Sequence, residues 1–185
     1  MERSELVNRV KTILNEAGED VTLSIADDVL SLTDYIERAL PDAVAVIAKE
    51  GLKINPTSLT SISDGKVALP DEFLSIIEVK LDNWNIALTG VEKKGSLAYR
   101  RAMNQYTAPT RNNPICFREG ANSIVCLPKG DIDVFLYNAA LGETFNGDEV
   151  AANAVAYMAA SMVLSIFGDD AGAARLKNIA MEALQ

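Results

Sequence analysis

Histidine is missing from all 185 residues, and with it go the commonest general base and the commonest zinc ligand. Cysteine is scarce: Cys116 and Cys126 alone cannot close a tetrahedral zinc site. No Gly-rich loop ends in Gly-Lys-Ser/Thr, so a phosphate cradle of that kind is absent. Aromatic residues make up only 6% of the chain, and Trp84, Tyr99, Tyr106 and Tyr137 read as core and interface packing rather than as a platform for bases. Positive charge is short as well. Against 26 Asp and Glu stand 17 Lys and Arg, a net charge of −9, which argues against a dedicated nucleic-acid binder because phosphate affinity comes mostly from Lys and Arg. The start, Met1-Glu2-Arg3-Ser4-Glu5, is charged and unlike a signal peptide. It sets the expectation of a reducing, cytosolic setting in which Cys116 and Cys126 are ordinary strand thiols. If the turn between them holds three residues they fall opposite each other; with two they fall out of register, on opposite faces.

What is present is ordinary for a globular chain. Apolar residues reach 49% and charged ones 23%, and the length suits one domain or one domain with an inserted subdomain. The charge is uneven: residues 1–65 carry 12 acids and 6 bases, residues 66–141 carry 8 and 9, and residues 142–185 carry 6 and 2. Within 93–118 the bases Lys93, Lys94, Arg100, Arg101, Arg111 and Arg118 occur without an acid among them. Such a cluster is either a solvated face or a contact for an acidic neighbour or for DNA. One uncharged run, 150–167, meets the length of a membrane span, yet it is mostly Ala and Ser and is flanked by Asp148-Glu149 and Asp169-Asp170. Those flanks predict a helix buried inside the protein, with no membrane partner.

Periodicity gives the order of elements. Leu6, Val7, Val10, Ile13, Leu14 and Ala17 share one stripe and predict a first helix over 2–17, closed by Gly18. Val29, Leu32, Ile36, Ala39, Ala43 and Ile47 predict a second helical region from about Asp27 to Lys49. Pro41 either kinks it or begins a new helix after Leu40. Residues 52–65 read as a connection, 66–69 and 75–81 as strands around a Pro70 turn, 84–88 as a further short strand, and 96–105 as a helix capped by Ser96. Segments 115–118, 123–127 and 132–137 predict an antiparallel meander. Two final helices follow, capped by Asn146 or Asp148 and by Asp169 or Asp170. The expected fold is therefore α+β: a helical bundle formed by 1–65 and 142–185, with an inserted antiparallel β-domain at 66–141 whose ends lie close together.

The acidic pairs Asp27-Asp28, Asp71-Glu72, Asp148-Glu149 and Asp169-Asp170 each precede or start a predicted helix or turn, where carboxylates cap free N–H groups. A magnesium-dependent nuclease would need acids converging at strand ends, and the strands offer only Glu78, Asp82, Asp131 and Asp133. The expectation is a protein that is not an enzyme, with no catalytic, metal or cofactor residues.

Residues 65–84 hold the most specific signal. The order Leu69-Pro70-Asp71-Glu72-Phe73-Leu74, then Ile76-Ile77-Glu78-Val79-Lys80-Leu81 and Trp84, resembles the start of the β-domain in head-to-tail adaptor proteins of tailed phages, especially ring proteins of crAss-like phages. The physical content is a Pro-led turn that Phe73 and Leu74 can pin to a core, followed by a half-buried strand, which makes Leu69, Pro70, Phe73 and Trp84 the fold-defining residues. The resemblance extends to the α-β-α order of elements. It implies a structural virion protein of the neck, made in the host cytoplasm, that forms a ring of twelve copies beneath the portal and continues the DNA channel toward further neck or tail proteins. DNA would pass without sequence specificity along a wall whose acidity repels it. The candidate assembly contacts are Lys93, Lys94, Arg100, Arg101, Arg111 and Arg118 with Arg175 and Lys177 of the last helix. The rival reading is a small non-enzymatic module that binds a protein or peptide as a monomer or dimer.

Overall fold

The computed structural model describes residues 1–17 and 31–184. The chain has an α+β fold that divides into two compact units. The first unit comprises Met1–Asn55 and Ala140–Gln185, the second Pro56–Ala139.

The first unit is helical. Helix α1 (Arg3–Ala17) buries Leu6, Val7, Val10, Ile13 and Leu14 on the stripe that the periodicity predicts. Helix α2 spans Leu32–Lys49, with Ser31 and Asp34 forming a reciprocal capping box. Gly18, Asp27, Asp28 and Val29, which the sequence reading assigns to a helix end and a helix start, lie outside the described residues. Pro41 sits inside α2 and begins no new helix. Proline lacks the N–H that would bond the carbonyl of Glu37 one turn earlier. That carbonyl receives Nη2 of Arg3 instead, at 3.2 Å, and the same guanidinium pairs with the Glu37 carboxylate at 2.6 Å.

The uncharged run becomes α4 (Glu149–Ile166), capped by Asp148, whose carboxylate accepts the Ala151 N–H at 2.8 Å. It touches α1, α2 and α5 (Asp170–Glu182), and Ala151, Ala152, Ala154, Ala156, Ala159 and Ala160 along it are fully enclosed. Their small side chains let three helices approach one axis, which accounts for an apolar helix with no hydrophilic stripe. Ser161 is buried there and donates its hydroxyl to the Ala173 carbonyl at 2.7 Å. Asp169 caps α5 through the Gly172 N–H.

The second unit holds two three-stranded antiparallel sheets. One has the order β1 (Pro56–Ser58), β6 (Ile132–Ala139), β3 (Phe73–Leu81); the other has β2 (Lys66–Ala68), β5 (Ser123–Leu127), β4 (Ile115–Arg118). Two sequence expectations change here. The predicted meander of three strands breaks after β5, because β2 occupies the second edge of β5 (Val67 opposite Ile124) and β6 pairs with β3 and β1. Residues 56–58, read as connection, are a strand, so this unit begins before residue 66. The predicted strand at 84–88 reduces to a single bridge between Leu88 and Val79.

The Pro70 turn carries the chain from one sheet to the other. Its central residues are Asp71 and Glu72, closed by the Phe73 N–H on the Pro70 carbonyl at 3.1 Å. Between the sheets, Val67, Leu69, Ile76, Val79, Leu81, Trp84, Ile124, Phe135 and Tyr137 form one core. Trp84 is buried and donates its indole N–H to the Pro128 carbonyl at 2.8 Å. Phe73 is only half-buried: it stacks on Tyr137 with centroids 5.6 Å apart.

Candidate assembly surface

The segment rich in bases folds as a short helix on the second unit. Ser96 caps α3 (Leu97–Ala102) by accepting the Tyr99 N–H at 3.0 Å. The helix stops earlier than the predicted residue 105. The Asn104 side chain accepts the Tyr106 N–H, and the Thr107 hydroxyl donates to the Arg101 carbonyl, so side chains take over backbone partners that another helical turn would use. Tyr99 fastens α3 to the sheet by an edge-on contact with Phe117, centroids 4.9 Å apart. Upstream, Glu92 joins the edge of β4: its N–H donates to the Cys116 carbonyl at 2.8 Å and its carbonyl accepts from Arg118. A cleft of about 490 Å³ lies between α3 and this edge, lined by Glu92, Ala98, Arg101, Pro114 and Cys116 among others.

All eight candidate contact residues are exposed. Lys93, Lys94, Arg100 and Arg101 gather on α3 and the turn before it. Among the described residues none of Lys93, Arg100, Arg101 and Arg111 has an ion-pair partner in reach. Arg111 lies in the loop that holds Asn85, its carbonyl accepting the Asn85 N–H at 2.9 Å. Arg118 is set apart from this group, its guanidinium 5.3 Å from the centre of the Phe73 ring. Lys66 holds the carboxyl of nearby Glu119 below its usual range, through a hydrogen bond and then through charge, with Lys94 adding to it. Arg175 and Lys177 belong to α5 in the other unit.

No family model and no curated protein matches the chain. The surface must be read from its own residues.

What the sequence reading missed is apolar, and Tyr106, read there as core and interface packing, lies outside any core. Leu97, Met103 and Tyr106 are 59%, 47% and 86% exposed beside the bases of α3. The signal for them is an apolar residue every few positions in a segment that is otherwise polar and too short to bury a face. Exposed apolar groups mark an interaction site where they form one contiguous patch. Several of the acids considered for catalysis are engaged elsewhere: Asp148 and Asp169 cap helices, Glu72 accepts the Tyr137 hydroxyl at 3.2 Å, Asp133 pairs with Lys80, and Asp82 accepts the Asp131 N–H, while Asp27 and Asp28 lie outside the described residues. Among the described residues no cluster of three or more metal-ligating side chains forms.

Proposed function

We propose that this chain is a structural assembly subunit of the head-to-tail adaptor kind that residues 65–84 resemble. It would ring the DNA path below a portal in the virion neck, carry no enzymatic activity, and offer its outer face to the next neck or tail protein. One observation carries the reading: α3 and the turn that follows it present exposed Leu97, Met103 and Tyr106 together with exposed Arg100 and Arg101, which have no ion-pair partner among the described residues. A copy of the same chain supplies the complementary charge, since residues 142–185 hold 6 acids and 2 bases. Such a contact is heterologous, one face against a different face of the next copy, and contacts of that type close into rings when the rotation divides a full turn. The net charge of −9 suits a conduit that DNA must traverse without sticking.

The test is the mass of the protein in solution, alone and with a portal ring, followed by electron microscopy of the mixture. A closed ring of this chain on the portal is the expected outcome, whether or not the free protein is a monomer. A chain that stays monomeric or dimeric in the presence of portal and never decorates it overturns the reading in favour of a small binding module.

A further inference from the structure

Cys116 and Cys126 stand directly opposite each other on β4 and β5. The loop between the strands holds Gly120, Ala121 and Asn122, closed by the Glu119 N–H on the Ser123 carbonyl at 2.9 Å, and Gly120 has a left-handed φ of 77° that glycine adopts without strain. The pair is of the type that exchanges no backbone hydrogen bonds. The Cys116 carbonyl accepts from Glu92 on one side, and the Cys126 N–H donates to Gly65 on the other, each pointing away from the partner strand. In such pairs the Cα atoms lie about 4.5 Å apart, within the range a disulfide spans. The two Sγ atoms are 2.8 Å apart, both residues are buried, and both thiols are free.

We propose that Cys116 and Cys126 form a cross-strand dithiol that closes to a disulfide by exchange with a small external disulfide, with Cys116 as the entry point. Cys116 lines the 490 Å³ cleft beside α3, while Cys126 does not. The Cys116 thiolate attacks one sulfur of the external disulfide, forming a mixed disulfide and releasing one thiolate. The Cys126 thiolate then attacks the Cys116 sulfur, expelling the second thiolate. Two protein thiols are oxidised and one external disulfide is reduced to two thiols, so atoms and electrons balance. The hydrogen bond to Cys126, and then burial, push the Cys116 thiol up, so the first step is slow at neutral pH and the endpoint is the quantity to read.

The chain contains only these two cysteines, which makes the count unambiguous. The folded protein is brought to equilibrium with hydroxyethyl disulfide, then denatured in acid for thiol titration and intact mass. Loss of both thiols is expected, with a mass lower by two hydrogens, no retained reagent, and full reversal by a dithiol reductant. Cys126→Ser is expected to retain one hydroxyethyl thiol on Cys116, whereas Cys116→Ser keeps its remaining thiol free. Circular dichroism of both variants confirms that they are folded. Two thiols still titrating in the wild type, a reagent adduct on either cysteine of the wild type, closure only in denaturant, or modification of Cys126 in Cys116→Ser would each overturn the proposal.

Discussion

Arg3 replaces a hydrogen bond that Pro41 removes from α2, and the replacement can be measured. With Pro41 in place, Arg3→Leu leaves the Glu37 carbonyl without its donor, removes the ion pair to the Glu37 carboxylate, and should cost about 1.5–3 kcal/mol, the scale of a hydrogen bond to a charged group. In a Pro41→Ala background the Ala N–H can reach that carbonyl, and the cost of Arg3→Leu should shrink. Urea unfolding of the four proteins in the cycle checks this, and equal costs in both backgrounds would refute the assignment. Tyr137 offers a second test. Burial, then the Glu72 carboxylate, raises its phenol above the ordinary value. The folded form therefore holds its proton more tightly than the unfolded chain. The stability from this difference is fully present below about pH 10 and is lost as pH rises through the folded value. Tyr137→Phe should flatten the fall in urea midpoint at alkaline pH relative to wild type, and an unchanged slope would remove the linkage.

Among the elements, α4 is the most constrained. Ala156 and Ala159 are fully enclosed on a helix that three others touch, so Ala156→Leu or Ala159→Leu should overpack it and cost about 1–3 kcal/mol. Thermal melts of both variants report it directly; an unshifted melting temperature would mean that the helices separate easily at that point. At the half-buried Pro70 turn, Phe73→Ala should cost less than the roughly 3–5 kcal/mol of a fully buried phenylalanine, because the ring is partly open and is covered by Arg118. These two elements also divide what was legible from what was not. The helices and most strands follow from local periodicity, and Asp148, Asp169 and Ser96 cap where their chemistry says they should. Strand partners did not follow, since alternation at β6 says which residues face a core and is silent on whether the neighbour is β5 next in sequence or β1 some eighty residues earlier. Residues 56–58 were missed for the same reason: three exposed residues led by proline become a strand only because β6 offers an edge. At the candidate surface the bases were visible as letters without acids among them, whereas the exposure of Met103 and Tyr106 depends on how early α3 stops.

For the molecule as a whole, the proposed assembly turns on charge between copies. Arg100→Glu with Arg101→Glu should weaken ring formation on a portal while leaving the melting temperature of the free protein nearly unchanged, because exposed charges contribute little to folding. Added salt should mimic the variant, since exposed charges are screened over about 10 Å at about 0.1 M ionic strength. Normal assembly with loss of DNA retention alone would place α3 toward the channel instead, and no change in either would leave the segment a solvated face. The crossing between the two units has a different consequence. Asn55 donates its amide N–H to the Ala140 carbonyl at 3.1 Å and accepts the Asn146 N–H through its side-chain oxygen, so the outgoing and returning chain are held one hydrogen bond apart. A splice at that point needs almost no linker: joining residue 55 to residue 140 through one or two glycines deletes an entire lobe without stretching either end. The spliced chain should keep a helical circular-dichroism spectrum and a cooperative melt, and the same junction would then accept a foreign domain as an interchangeable cassette.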